Sequence, residues 1–205
     1  SRRAPRRALP WAAPVSDQDE IVRALADPAF HPGRPAGVRH HETHISHVFV
    51  AGPFAYKLKK AVRFSFVDFS SVAERRRICA DEVRLNRRLC APLYLGVREV
   101  VRRADGTLAL GGEGTPLEPL VWMRSLPERG MLPQALAEGR VTPDALATFA
   151  RTLAAFHASP ESALDDPQRA DPDVLAARWQ HVLDDAVPMI GSVVSAPDHE
   201  VLVDF

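Results

Sequence analysis

Of the 26 basic residues in this 205-residue chain only three are lysines, and Lys57, Lys59 and Lys60 all fall within four positions. A general bias toward arginine would not spare one site. Something here calls for a compact ammonium on a flexible stem rather than a planar guanidinium fork. The surrounding segment, THISHVFVAGPFAYKLKK over residues 43–60, reads as strand, turn, strand. His47-Val48-Phe49-Val50 alternates, Gly52-Pro53 breaks the run, and Phe54-Ala55-Tyr56-Lys57-Leu58 resumes it. Phe54, Tyr56 and Leu58 share one face of the second strand, while Ala55 and Lys57 share the other.

The next segment offers that lysine a partner. Ser71 and Glu74 make an S-x-x-E capping box, and a helical pattern follows to about Cys90. Ile78, Leu85 and Leu89 fall on one stripe, with Glu82 inside it. A carboxylate turned toward a core needs a counter-charge, because an unpaired buried charge is costly. Lys57 is the expected partner, and the alternative is a helix arginine at the flank. Asp81 points instead among Arg77, Arg84 and Arg88 as ordinary solvated charge.

The rest of the chain frames this pair. Residues 1–16 carry four arginines and three prolines and read as a disordered basic lead-in. Residues 17–26 predict a helix with Ile21, Val22 and Leu25 inward. In HHETHISH a strand would align His40, Glu42 and His44 as metal-ligand spacing allows, with His41 and His47 nearby. A strand edge or phosphate-facing turn explains the same polar alternation without a metal. Residues 94–101 alternate as a strand, Ala104-Asp105-Gly106 turns, and residues 107–110 return. GGEGTP reads as a loop, since no helix entry follows it. A further strand over residues 117–123 breaks at Arg124-Ser125-Leu126-Pro127. Beyond lies helix, with Leu146, Phe149, Ala150, Leu153 and Phe156 expected inward, then a helix over residues 174–186 bearing Leu175, Trp179 and Leu183.

Balanced charge, with 26 basic and 26 acidic residues, argues against a general nucleic-acid binder. No apolar run suits a membrane span. The two cysteines, Cys79 and Cys90, lie about 16 Å apart along the expected helix and cannot bridge. A reducing cytoplasm is the expected compartment.

Phe54-Ala55-Tyr56-Lys57 resembles the V-A-I-K strand of protein-kinase-like folds. With Glu42-Thr43-His44-Ile45-Ser46, Tyr56-Lys57-Leu58-Lys59-Lys60, Phe66-Val67-Asp68-Phe69-Ser70, the helix from Glu82 to Leu89, Tyr94-Leu95-Gly96-Val97 and Trp122-Met123-Arg124, the chain resembles the bacterial aminoglycoside-phosphotransferase-like family. Many members of that family are fused to a C-terminal P-loop ATPase domain. The resemblance implies an α+β fold. Residues 17–126 would form a kinase-like N-lobe of about five antiparallel strands with one αC-type helix, and residues 127–205 would begin a helical C-lobe.

It also implies ATP as cofactor and a small-molecule phosphoryl acceptor, with magnesium sites in the C-lobe. Lys57 would orient phosphates, Glu82 hold Lys57, Ala55 lie under adenine, Thr43 and Ser46 occupy the turn over the phosphates, and Met123, Arg124 and Ser125 form the hinge. The family's H-x-D catalytic segment is missing from these residues, and Asp204-Phe205 is a poor echo of D-F-G. The chain therefore reads as the N-terminal portion of a longer protein. Three readings stand: a nucleotide-binding lobe, a non-catalytic kinase-like module, and a metal-binding module built on His40, Glu42, His44 and His47.

Overall fold

The computed structural model describes residues 18–64, 67–159 and 171–203. They fall into two compact units, one drawn from residues 18–63 and 68–157, the other from 64–67 and 158–203. The basic lead-in, most of the loop after residue 159 and Asp204-Phe205 lie outside the described residues.

The first unit is α+β. It runs α1 (Asp19–Ala26), β1 (Val38–Glu42), β2 (Ser46–Ala51), β3 (Phe54–Lys59), α2 (Val72–Cys90), then three further strands. Between β3 and α2 the short strands β4 (Arg63–Phe64) and β5 (Val67–Asp68) form a separate ladder. After α2 come β6 (Tyr94–Arg102), β7 (Leu108–Leu110) and β8 (Thr115–Arg124). Six strands make one antiparallel sheet in the order β1-β2-β3-β8-β6-β7, so β3 and β8 are its centre. The β2–β3 connection is a two-residue turn in which Gly52 adopts φ +59°, a conformation that glycine takes without steric cost.

Strand alternation sends Phe49, Ala51, Tyr56, Leu58, Val100 and Leu120 to one face, where they pack with Ile21 and Leu25 of α1. On the other face Val121 meets Cys79 and Val83 of α2, flanked by Tyr94, Val97 and Met123. The sheet is thus covered by α1 on one side and by α2 on the other. The expectation of about five strands falls one short. The sixth is β1, exposed at four of its five positions, so no apolar face announces it.

The inward stripe of α2 also differs from the expected one. Arg75, Cys79 and Val83 are buried, while Leu85 and Leu89 are exposed and Ile78 is half-buried. The helix is rotated by what the sheet presents. Glu118 on β8 reaches Arg75 in a bidentate pair, so an arginine takes a core position. Glu82 belongs to both stripes and keeps its inward orientation.

Beyond β8 lie α3 (Leu132–Ala137) and α4 (Pro143–Ala158). The apolar face expected inward on α4 is not covered. Leu146 and Phe149 are exposed, Phe149 by 67%, and no residue of the helix is buried. Phe156 lies under the Arg88 guanidinium, 4.8 Å from its ring centroid. The second unit contains α5 (Pro172–Ala186) and α6 (Ala196–Val203), with Asp171 capping α5 by accepting from the Asp173 and Val174 amides. Leu183 is buried, but Leu175 and Trp179 are exposed.

Candidate functional site

Two anchors bring the site together. On the strand side, the Gly52 turn and the β2 register set β3 so that Ala55, Lys57 and Lys59 share the face that α2 packs on. Gln18 then pins the end of β3: its Nε2 donates to the Lys59 carbonyl at 3.1 Å, and its Oε1 accepts from the Ala61 amide at 3.0 Å. On the helix side, Ser71 Oγ accepts from the Glu74 amide at 3.1 Å, while the Glu74 carboxylate turns to Arg77 rather than closing a capping box. Arg75 does the heavier fastening. It donates Nε to Glu118 Oε2 at 2.9 Å and Nη2 to Oε1, and its Nη1 reaches the Phe69 and Ser70 carbonyls at 2.6 and 2.9 Å.

Two turns along α2, Glu82 meets both inner lysines of β3. Lys57 Nζ donates to Oε1 at 2.9 Å and Lys59 Nζ to Oε2 at 2.5 Å. The side chains differ in access: Lys57 is 27% exposed, Lys59 6% and Glu82 13%. Burial pushes the Glu82 carboxyl up, but the hydrogen bonds from Lys59 and Lys57 together outweigh it and hold the group below its ordinary value. Cys79 stands beside the cluster, and burial pushes its thiol up to about 12, so it is an inert apolar neighbour. Two ammonium groups on one carboxylate leave an excess positive charge at a half-buried position.

The third lysine is separate. Lys60 pairs with Glu42 on β1 at 2.5 Å, and this hydrogen bond is the main cause holding the Glu42 carboxyl below its ordinary value. His40, Glu42 and His44 do not converge, because β1 ends at Glu42 and His44 lies in the turn beyond. Instead His40 Nε2 and His47 Nδ1 share a hydrogen bond of 3.0 Å, and the His40 ring stacks on Phe49. Among the described residues no three His, Cys, Asp or Glu side chains group as metal ligands. His41 is exposed on the opposite face of β1.

Of the other expected residues, Ala55 is buried and pairs in register with Met123. The Arg124 amide donates to the Leu93 carbonyl at 2.9 Å and the Ser125 amide to Pro53 at 2.8 Å. The two backbone donors expected at a hinge are therefore already used. Thr43 Oγ1 accepts from the Ser46 amide and donates to the Ser46 carbonyl, which spends the hydroxyl on closing the β1–β2 turn. Ser46 is buried directly across from Lys59, and its hydroxyl has no hydrogen-bond partner among the described residues. A separate hollow of about 430 Å³ lies between Val97, Arg98, Glu99, Leu110, Gly112 and Pro116, and Val97 and Lys57 both pair in register with Val121, one from each side. Its wall includes Glu99, which accepts two hydrogen bonds from the Arg76 guanidinium at 2.9 and 3.0 Å.

Sequence reasoning missed Lys59, Gln18 and the Arg75–Glu118 pair. Lys59 was readable: at two positions beyond Lys57 on a strand it must share that face. A buried arginine and a glutamine that fastens a strand end carry no comparable periodic signal.

The chain is 32% identical over 142 residues to proteins described as uncharacterized from Mycobacterium tuberculosis and Mycobacterium bovis. The match takes in 69% of this chain and 27% of each relative, so the chain spans about a quarter of the length of the curated relatives it matches. No family model and no solved structure matches it. Among the described residues no helix is long and apolar enough to cross a membrane.

Proposed function

We propose that this chain is the nucleotide-binding portion of an ATP-dependent small-molecule phosphotransferase of the aminoglycoside-phosphotransferase-like kind, with the sheet and α2 as its kinase-like N-lobe. One observation carries this reading: a partly exposed ammonium from a central strand is bonded to a carboxylate on the packed helix, with excess positive charge left over. In phosphoryl transfer the protein acts mainly by positioning and by offsetting phosphate charge, and an ammonium so held does both. Ala55 is small and pairs with Met123 on the face that carries Lys57, which is where the resemblance expects the base. Because the Arg124 and Ser125 amides are occupied, the donor that reads an adenine edge would come from Leu126 onward.

Among the described residues no three His, Cys, Asp or Glu side chains group as metal ligands, and the resemblance expects the magnesium sites in the C-lobe. The test is transfer of labelled γ-phosphate by the full gene product. Lys57→Met should lower turnover by about a hundredfold or more with the fold intact. Unchanged turnover rejects the reading, while ATP binding without any transfer in the unmodified protein would make it a binding module instead.

A further inference from the structure

The geometry points to a division of labour between the two inner lysines: Lys59 is the resident counter-ion of Glu82, and Lys57, held in place by the same carboxylate, is the ammonium offered to the ligand's phosphates. The identity of the ligand rests on the phosphotransferase reading; the pairing within the protein does not.

A single lysine shared between carboxylate and phosphate must satisfy both at once, and turning fully to the phosphate would strand a buried carboxylate. Here Glu82 has one ammonium on each oxygen. The two are not equivalent. Lys59 makes the shorter bond, is almost wholly buried, and lies 5.5 Å from the Phe69 ring centroid. Its backbone is held by Gln18 through the Lys59 carbonyl. Lys57 is the more exposed member, and among the described residues its side chain makes no hydrogen bond besides the one to Glu82. With Lys59 in place, Glu82 remains neutralised while Lys57 shares its charge with the phosphates. The three groups together carry a net charge of +1, where a lone Lys57–Glu82 pair would carry none, and the surplus suits a polyphosphate. Ser46, across from Lys59 with a buried hydroxyl that has no partner among the described residues, supplies a spare polar group in the same corner. Lys59 is thus a positioning residue, acting through Glu82.

The experiment follows the Glu82 carboxyl carbon by NMR through a pH titration, since Lys57, Lys59, Cys79 and the Tyr94 phenol are the titratable groups around it. In Lys57→Met the carboxyl should stay below the ordinary glutamate value. In Lys59→Met its midpoint should rise by about one unit or more, and Lys59→Arg should restore it. Equal rises in the two Met variants, or a larger one in Lys57→Met, overturn the assignment. Should Lys59→Met fail to fold, the Lys57→Met titration still decides: a carboxyl returned to its ordinary value sinks the proposal. With only three lysines, ε-carbon labelling gives three signals, and added ATP should move that of Lys57 and leave that of Lys59. Movement of Lys59 alone contradicts the division of labour, whereas no movement at all counts against the nucleotide reading and leaves the titration to judge the pairing.

Discussion

Replacing Arg75 with methionine should be among the most damaging single changes in the first unit. Arg75 is 1% exposed and Glu118 5%, so neither charge has water to fall back on. The substitution strands the Glu118 carboxylate and removes the donor from the Phe69 and Ser70 carbonyls. Breaking one side of a buried ion pair costs about 3–5 kcal/mol, chiefly because the partner's charge is left uncompensated. Each carbonyl adds roughly 1 kcal/mol unless water reaches it. Against a total stability on the order of 5–15 kcal/mol, that is enough to populate the unfolded state. The double variant Arg75→Met/Glu118→Leu removes both charges, and should regain at least about 2 kcal/mol over the single one. Urea unfolding, with the m-value checked for constancy, measures both. A single-variant loss below about 1 kcal/mol, or a double variant no better than the sum of its parts, would refute the view that this pair is desolvated and fastens α2.

Four further outcomes are expected. Glu82 has its folded-state carboxyl held below the ordinary 4.5, so it contributes stability present above that value and lost as pH falls through the lowered one; Glu82→Gln should flatten that part of the acid limb in thermal melts. His47 is held below its ordinary 6.5 by burial, then by Lys60, so the stability tied to its neutral form is present above 6.5 and declines on acidification; His47→Gln should reduce the change in Tm between pH 7 and 5. Gly114→Ala should destabilise by roughly 1–3 kcal/mol, measured by thermal unfolding, because φ is +147° and a Cβ would sit 2.6 Å from the Arg102 carbonyl oxygen. Phe149→Ser, on the uncovered face of α4, should change the stability of this chain by less than about 0.5 kcal/mol in the same assay.

What the sequence made legible was local. Alternation placed β2, β3, β6 and β7 and put Lys57 opposite the apolar face, and the Ser71 cap located the start of α2. Spacing brought Glu82 to the lysines because a helix stripe one position off still contains it. The unread parts depend on partners remote in the chain. Arg75 enters the core only because Glu118, 43 residues away, is there to receive it. The β1 strand exists by pairing with β2, not by burying a face. Hinge donors at Arg124 and Ser125 are consumed by carbonyls of Leu93 and Pro53, which no reading of the hinge segment alone could show. The apolar pattern of α4 says that the helix can pack, and says nothing of whether this unit supplies the surface.

The central claim is that a nucleotide's phosphates belong at Lys57. Amide chemical-shift mapping of this chain during ATP titration tests it most directly. The account predicts saturable shifts centred on residues 55–59 and on Glu82 and Met123, abolished in Lys57→Met. Shifts centred on the hollow between Val97 and Pro116, or shifts undiminished in that variant, would contradict it.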